Sequence, residues 1–462
     1  MDPLACSGQV ACSDCGQGYL ARGAQQQAAQ REEREREEAR NKHGLLHAWH
    51  YSSKDAKKAT MSPGRLLAIC AARVFLFASF MTVAAVIPLI ALDWQLSATA
   101  AGAIVSSFTL CYALSVFGFG WAADHFGAKR MVIVSALVAA AGSAGFGWLA
   151  RDWGSAMLLY GLVGLAQGGV YTPLIMVLSD EIAPQARGKA MGWLIASTSA
   201  GYAGSLALAG LGVALGGWQL AFLLGGTVPA VGAVLLIIAL MPFAHRVHPR
   251  SAGVRLSDEI VRNRASRLLI AGYTGHSWEV VGMWAWIPAF LAAGFALKGT
   301  GAAGATVSGA YLAGSLHLVG AMAAFTMGRL SDRTGRRPLL VALAAAGACV
   351  SFVIGWLIHA PSAVLIPLAL AYAFVTLGDS PVLTAAISEV VRPGYLGAVL
   401  AWRGLAGFSA GALAPLALGL VLDAATHAST GPAVSWGVAF ATLGLGGLAA
   451  TLCALALRRP VA

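Results

Sequence analysis

The chain has 462 residues, of which 58% are hydrophobic and 11% charged, and its net charge at pH 7 is +11. So low a charged fraction excludes a set of ordinary soluble domains, because a water-facing surface needs more polar residues, and it indicates a surface that faces lipid. The positive charge would suit nucleic acid, but the basic residues lie on alternate loops between long apolar segments, so no nucleic acid partner is expected.

Residues 1–60 differ in kind from the rest of the chain. The segment QQQAAQREEREREEARNK is polar, with alternating charge and no apolar stripe, so we expect a solvated helix or a disordered cytoplasmic tail. The cysteines Cys6, Cys12 and Cys15 lack a second pair at zinc-ligand spacing, so no metal site is expected. No hydrophobic run precedes Met61, so we expect no cleavable signal peptide and expect Met61 to be the natural start.

Twelve apolar segments follow, each long enough to cross a hydrocarbon layer of roughly 30 Å as a helix of about 20 residues. They must be helices, since isolated strands would leave backbone groups unpaired in lipid. We therefore predict an all-α integral membrane protein with twelve transmembrane spans. In chain order the spans cover residues 66–92, 99–123, 131–150, 156–178, 190–215, 220–243, 268–290, 307–327, 339–358, 364–387, 398–421 and 434–457.

The loops divide the basic residues unequally between the two sides of the membrane. The loops after even-numbered spans carry nearly all of them, and only Arg151 and Lys298 lie on the other side. By the positive-inside rule, both termini are expected in the cytoplasm and the protein in the plasma membrane. The polar linker 244–266 separates a first half, 61–243, from a second half, 267–458.

One motif occurs twice in this sequence. The stretch GWAADHFGAKR, Gly120–Arg130, is repeated as GRLSDRTGRRP, Gly328–Pro338, 208 positions further on. Glu181 and Glu389 are separated by the same offset. The chain therefore contains a duplicated six-span unit, and two such halves in parallel repeat are one architecture for alternating access around a site near the midplane.

Here the sequence resembles the major facilitator superfamily of transporters, whose loop after span two carries GxxxDRxGRR. The resemblance covers about residues 62–458. It implies a secondary transporter whose central cavity is lined by spans one, four, seven and ten. His125 and Ala128 depart from the first copy of the motif, so its latch is expected to be the weaker one. The matching residues are Gly120, Asp124, Gly127, Lys129 and Arg130 in the first copy, and Gly328, Asp332, Arg333, Gly335, Arg336 and Arg337 in the second.

Both copies are expected to form a conformational latch on the cytoplasmic face. Their glycines permit close helix approach and a tight loop, and Asp124 and Asp332 can face a helix amino terminus. Their basic residues have Glu181 and Glu389 as partners, at the ends of spans four and ten. Solvated pairs of this kind are worth about 0–1 kcal/mol, enough to bias two conformations. The alternative is that these are turn residues with solvated charges.

Six ionisable side chains lie at membrane depth, where they cost free energy and are functional candidates by default. The resemblance places those on spans one, seven and ten at positions that line the cavity, together with Tyr171 and Thr172 of span four. The six are Arg73, His276, Glu279, His317, Asp379 and Arg403.

Span seven carries the favoured proton site. We expect Glu279, near mid-depth, to exchange a proton, with His276 one turn away sharing the charge. Trp286 lies on the same helical face, whereas Trp284 points elsewhere. The alternative is a structural hydrogen-bonded pair of His276 and Glu279 that fixes the packing of the span.

Arg73 in span one is the expected anion-binding residue, because a guanidinium fork suits carboxylates and inorganic oxyanions. Its alternative is snorkelling to the membrane interface. Asp379 either takes part in solute binding and proton coupling or pairs with Arg403 as a structural bridge. His317 is expected to be a polar packing contact.

The sequence has no nucleotide-binding loop, nucleophile elbow or zinc-protease motif, so we predict neither an enzyme nor a cofactor. We predict a monomeric secondary transporter in the lipid bilayer, and favour a small anion carried in symport with protons. Glycine at position 164, where many proton-linked members carry arginine, and a span five without proline both count against multidrug antiport. Two alternatives stay open: efflux of an aromatic or cationic compound held by Trp286, Glu279 and Asp379, and a transporter-like membrane sensor that uses the tail 1–60.

Overall fold

A computed structural model describes residues 61–182, 184–247, 258–392 and 395–457. The predicted tail and part of the predicted linker lie outside these residues, so those predictions and the boundaries of the two halves stay predictions. The described residues form helices and no β-strand. The α-helices are Pro63–Leu76, Thr82–Asp93, Ala98–Phe126, Ala128–Leu149, Trp153–Gln167, Thr172–Glu181, Pro184–Leu240, Arg264–Ala296, Ala302–Thr334, Arg336–Ile354, Ser362–Val390, Leu396–His427 and Pro432–Ala456.

These helices form twelve membrane spans, which confirms the predicted all-α class. Eleven helical segments of the described chain are long and apolar enough to cross a membrane, and the longest, Ala190–Leu240, contains two spans. Its backbone leaves the helical region at Gly216 and Gly217, where φ is −163° and +75°. Glycine adopts the positive φ of Gly217 at low cost, which permits the turn between spans five and six. Spans one to twelve are Pro63–Asp93, Ala98–Phe126, Ala128–Leu149, Trp153–Glu181, 190–215, 218–240, Arg264–Ala296, Ala302–Thr334, Arg336–Leu357, Ser362–Val390, Leu396–His427 and Pro432–Ala456.

Spans one and four are interrupted near the middle of the membrane. The α-helix gives way to a 3-10 turn at Phe77–Ser79 in span one and at Gly168–Val170 in span four. Ser205 Oγ of span five donates to a carbonyl oxygen of the first turn at 2.7 Å, and Gln167 Nε2 of span four donates to the carbonyl just before it at 3.2 Å. Such breaks are tolerated at membrane depth because neighbouring side chains satisfy the freed backbone groups.

The contacts between the two six-span halves lie on one side of the membrane. We call the side that carries the loops after even-numbered spans the basic side. The segment of span one far from it, Thr82–Asp93, packs against spans seven and eight, whereas the near segment, Pro63–Leu76, packs within its own half. Gly102 of span two lies directly against the backbone of Pro415 in span eleven, and Gly404, nearer the basic side of span eleven, faces open space. The space between the halves therefore opens toward the basic side.

Candidate functional site

Four tyrosines approach one another where the two halves face each other. Tyr112, Tyr171 and Tyr202 belong to spans two, four and five, and Tyr273 belongs to span seven of the second half. Each lies within electrostatic range of the others. We call this group the tyrosine cluster. Of these four, only Tyr171 was predicted from the sequence, because a neutral side chain within an apolar span gives no charge signal.

Arg73 lies beside the tyrosine cluster and is fully buried. Its Nη1 donates to Leu194 O at 2.5 Å and to Ser197 Oγ at 3.2 Å, and its Nη2 donates to Thr198 Oγ1 at 3.0 Å. Its Nε is buried without an acceptor. These bonds hold the guanidinium against span five at membrane depth, so Arg73 does not snorkel to the interface. Its role in anion binding stays a prediction.

Arg403 of span eleven approaches the same cluster from the second half. Its guanidinium carbon lies 4.2 Å from the ring centre of Tyr273, and its Nη1 donates to Thr384 Oγ1 at 3.1 Å. Its Nε is also buried without an acceptor. The alternative bridge from Arg403 to Asp379 is not among the described ion pairs, because Arg403 stacks on Tyr273 and Asp379 faces a different partner.

That partner is His276. Its Nδ1 lies 2.8 Å from Asp379 Oδ1, and both side chains are only 5% exposed. On the other side of the imidazole, Nε2 lies 2.9 Å from Ser380 Oγ. Span ten therefore supplies both described neighbours of the imidazole, and Glu279 is not one of them. Charge sharing between His276 and Glu279 stays a prediction.

Glu279 packs among spans nine, ten and twelve of the second half. Ser351 Oγ donates to Glu279 Oε1 at 2.6 Å and lies 2.5 Å from Tyr372 Oη. A side chain at Gly447 of span twelve would collide with the carboxylate. The glycine therefore makes room for Glu279 inside the half, and proton exchange at Glu279 stays a prediction.

Trp286 and Trp284 face different surroundings from those expected. Trp286 is buried and donates through Nε1 to Pro415 O at 2.9 Å, so it packs within its own half. The ring centre of Trp284 instead lies 5.4 Å from that of Tyr202 in the first half and 5.5 Å from that of His317. Its Nε1 is buried without an acceptor. In this conformation Trp284, rather than Trp286, faces the opposite half, because the indole N–H of Trp286 binds a carbonyl of span eleven.

The two span-four residues expected at the cavity separate at the break in that span. Tyr171 follows the 3-10 turn and joins the tyrosine cluster. Thr172 begins the next α-helix and packs toward span two, where a Cβ at Gly120 would lie 3.6 Å from its Cγ2. Tyr171 is thus the span-four side chain that approaches the centre.

Comparison with known proteins assigns this arrangement to a family. The profile of the Major Facilitator Superfamily matches residues 69–415, well over half of the chain. The chain belongs to this superfamily. A search of curated proteins found no match.

Two solved transporters show the same fold. A bacterial homologue of the human lysosomal transporter Spinster, inward-facing and unoccupied, aligns at TM-score 0.65 and 17% identity over 85% of this chain and 95% of its own. The nucleoside transporter NupG aligns at TM-score 0.67 and 11% identity, over 85% of this chain and 98% of its own. Together with the membrane spans, superfamily membership identifies a multi-pass membrane transporter rather than an enzyme.

One departure from the superfamily pattern now has a structural reason. Gly164 of span four lies directly against the backbone carbonyl of Phe108 in span two, which leaves no room for a side chain. The arginine that many proton-linked members carry at this position therefore cannot fit here. The close helix approach that only glycine permits occupies its place.

The first copy of the superfamily motif binds the end of span six. Lys129 Nζ donates to the carbonyl oxygens of Met241 and Phe243 at 3.0 and 2.6 Å. Glu181, expected to pair with a basic residue of the motif, instead lies 3.3 Å from Arg246 Nη2. The carbonyls at the end of span six take the lysine, which leaves Arg246 as the partner of Glu181.

The second copy forms an ion-pair group within its own half. Arg336 lies 2.6 Å from Asp332 Oδ1 through Nη1 and 2.9 Å from Glu389 Oε1 through Nη2. Gly335, with φ of +88°, makes the turn that allows span nine to start directly after span eight. The group links spans eight, nine and ten, and its function as a latch stays a prediction.

A carboxylate that the sequence analysis did not single out connects the halves on the side opposite the basic loops. Asp423, near the end of span eleven, accepts hydrogen bonds from the backbone N–H groups of Ala98 and Thr99, both at 2.8 Å. These are among the first N–H groups of span two, which have no partner inside their own helix. In the sequence, a carboxylate at the end of a span is typical of a solvated residue. The sequence signal for this contact was the start of span two, whose first N–H groups need an acceptor from outside their own helix.

Proposed function

We propose that this protein is a secondary transporter that moves a small anionic solute by alternating access, in symport with protons. The observation that carries the choice of an anion is a set of three buried donors around the tyrosine cluster, Arg73 Nε, Trp284 Nε1 and Arg403 Nε, which have no acceptor. A buried donor left unpaired costs free energy, and a guanidinium or indole nitrogen can only donate. A carboxylate or an inorganic oxyanion supplies the acceptor oxygens that would satisfy them.

The charges around the cluster support the same choice. The described hydrogen bonds of Arg73 end on neutral oxygens of span five, and that of Arg403 ends on Thr384. Two guanidinium groups at membrane depth without a carboxylate among these partners favour a negatively charged ligand between the halves. One arginine belongs to each half, so a bound anion would draw the halves together.

The distribution of contacts between the halves supports alternating access. The halves pack together on the side opposite the basic loops, and the space between them opens on the basic side. With the basic side in the cytoplasm of a plasma-membrane protein, as the positive-inside rule favours, this is the inward-facing state. Transport then requires the Asp423 contact to open while the basic side closes.

Proton symport gives a physical reason for a carboxylate beside an anion site. The membrane potential, negative inside, opposes entry of an anion, and a proton carried with it cancels one charge. The second half holds two buried carboxylates within its spans, Glu279 and Asp379. The sequence favours Glu279 as the carrier of the proton.

Efflux of an aromatic or cationic compound is the second candidate. The ring surfaces of Tyr202, Trp284 and His317 at the closed end of the space favour it. Trp286, part of the original hypothesis, packs within its own half. The sensor hypothesis depends on residues 1–60, which lie outside the described residues.

The experiment is solute transport by purified protein in liposomes, measured as current on a solid-supported membrane and as uptake of radiolabel. The solutes are succinate, sulfate, phosphate, glycine, a neutral nucleoside and a tetraalkylammonium ion, with and without a pH gradient. The proposal predicts anion transport that depends on the gradient and falls in Arg403→Gln and Arg73→Gln. Arg329→Gln is the matched control, because Arg329 stacks on Phe325 of its own span. Transport of the cation alone would favour efflux, and anion transport unchanged in both cluster variants would overturn the proposed site.

A further inference from the structure

The second half contains a buried acid–base pair next to the proposed anion site. His276 of span seven and Asp379 of span ten approach to 2.8 Å between Nδ1 and Oδ1. Although the two atoms are close, they are not aligned for a hydrogen bond. Among the described contacts, neither atom has another hydrogen-bond partner. The pair therefore holds two complementary groups close together without a fixed hydrogen bond between them.

Ser380 lies next to this pair, one turn before Thr384, the exposed residue of span ten that accepts a hydrogen bond from Arg403. Its side chain is partly exposed, whereas His276 and Asp379 are buried. Its Oγ lies 2.9 Å from His276 Nε2, on the opposite edge of the imidazole from Asp379. An imidazole can accept a proton at one nitrogen and release one from the other, and a hydroxyl can both donate and accept.

We infer that the coupling proton is carried by the His276–Asp379 pair and enters through Ser380, an inference that rests on the proposed function. The hydroxyl proton of Ser380 moves to Nε2, and a hydronium ion in the space between the halves returns a proton to the hydroxyl oxygen and leaves as neutral water. A small rotation of the imidazole aligns Nδ1–H with Asp379 Oδ1, which lies 2.8 Å away, and the proton on Nδ1 moves to that oxygen. One proton has then passed from the hydronium ion to Asp379, the imidazole is again neutral, and the charge of the pair changes from −1 to 0.

The position of Tyr273 explains how this charge reaches the anion. The ring centre of Tyr273 lies 5.6 Å from that of His276, and the Arg403 guanidinium carbon lies 4.2 Å from the ring centre of Tyr273. When Asp379 is ionised, its negative charge reduces the electrostatic attraction between Arg403 and a solute anion. A proton on the pair removes that competition, so proton binding and anion binding strengthen each other, as linkage requires.

Four other titratable or charged groups of the described chain face the pair. Tyr273 and Glu279 lie on span seven with His276. Arg403 of span eleven faces the pair across the ring of Tyr273. Cys453 of span twelve lines the same small cavity as Asp379. Glu279 is bonded to Ser351 inside the half, and the described polar contact at Nε2 of the imidazole is Ser380.

The test measures proton movement and solute movement together, with pyranine inside proteoliposomes and succinate or sulfate as the driving gradient. Wild-type protein is expected to move protons with the anion. Asp379→Asn, which fixes the pair in a state equivalent to the protonated one, is expected to keep anion counterflow and lose both proton flux and dependence on the pH gradient. Asp379→Glu should restore proton flux. Ser380→Ala should slow proton flux, whereas Ser388→Ala, a serine further along span ten that bonds its own helix, should not.

Retained counterflow in Asp379→Asn shows that the variant is folded, so loss of proton flux alone supports the inference. Proton flux retained in Asp379→Asn would overturn the inference. If that flux is also lost in Glu279→Gln, Glu279 carries the proton instead. Anion uptake by the wild type without proton movement would overturn the inference and leave the proposed anion transport standing. Absence of succinate and sulfate uptake by the wild type would overturn both.

Discussion

Asp423 of span eleven and Thr99 of span two form a clamp between the two halves on the side opposite the basic loops. The Asp423 carboxylate accepts from the backbone N–H of Thr99 at 2.8 Å and from its hydroxyl at 2.5 Å, with a third bond from the N–H of Ala98. A carboxylate at a helix amino terminus gains from both the free N–H groups and the helix dipole. This clamp stabilises the conformation in which the halves are closed on the side of the membrane opposite the basic loops.

Weakening the clamp should open the opposite side. Asp423→Asn replaces a charge-assisted bond, worth roughly 1.5–3 kcal/mol, by a weaker neutral one. We expect about a tenfold rise in the population open on that side. The measurement is the alkylation rate of Ala209→Cys, a buried position on span five, by a membrane-impermeant maleimide added from the opposite side. Asp93→Asn is the control, because Asp93 binds Trp218 within one half; equal rates in the two variants would argue against the clamp.

Gly164 should not tolerate a side chain. Even Gly164→Ala must push spans two and four apart, because its Cβ would collide with the carbonyl of Phe108. Overpacking of this kind costs roughly 1–3 kcal/mol. We expect Gly164→Ala to lower the melting temperature in detergent. We expect Gly164→Arg to give no increase in solute transport. Gly118→Ala, on the same pair of spans but facing open space, should melt like the wild type; a similar loss there would point to helix flexibility instead.

The Arg336–Glu389 pair should contribute little to stability. Glu389 is more than half exposed, at 54%, so solvent screens the pair. A double-mutant cycle with Arg336→Gln and Glu389→Gln should give a coupling free energy of about 0–1 kcal/mol. The same cycle with the exposed Arg333 in place of Arg336 should be additive. A coupling well above this range would mean that the group locks the half rather than biasing it.

Asp152 should make stability depend on pH at the start of span four. The backbone N–H of Ser155 donates to its carboxylate at 2.9 Å, and this bond holds the pKa of Asp152 below its ordinary range. Because the folded pKa is the lower one, the stabilisation is present above the unfolded pKa, near 4, and is lost as pH falls through the folded pKa. The gap in melting temperature between wild type and Asp152→Ala should therefore narrow on acidification below about pH 4. A gap that widens with acid would contradict the assignment.

The spans were predictable because lipid imposes a strong and local condition on the sequence. A crossing helix needs about 20 apolar residues, and the long segment Ala190–Leu240 contains two such runs, separated by the break at Gly216 and Gly217. The 3-10 turn in span one was not predictable, because its supporting hydrogen bonds come from Gln167 and Ser205, far along the chain. Local hydropathy contains no information about those partners.

The partners of the buried charges were predicted poorly for a related reason. Spacing along one helix brings Glu279 near His276, but the partner in the structure is Asp379 on another span. Trp286 and Glu279 both pack within the second half, whereas Trp284 faces the first half. A helix that is apolar all round has no polar face to indicate which side meets the opposite half. Only the packing of neighbouring spans decides which side of span seven faces the first half.

The most direct test of alternating access is a pair of distances measured by double electron–electron resonance in a variant without native cysteines. On the basic side, labels at Gly192 and Gly404 report the two halves, and both positions have open space for a label. On the opposite side, the exposed Leu92 and Gly301 serve the same purpose. With succinate or sulfate at acidic pH, we expect the distance on the basic side to shorten while the distance on the opposite side lengthens. Two distances that stay unchanged in liposomes shown to transport the same anion, or that change together in the same direction, would contradict it.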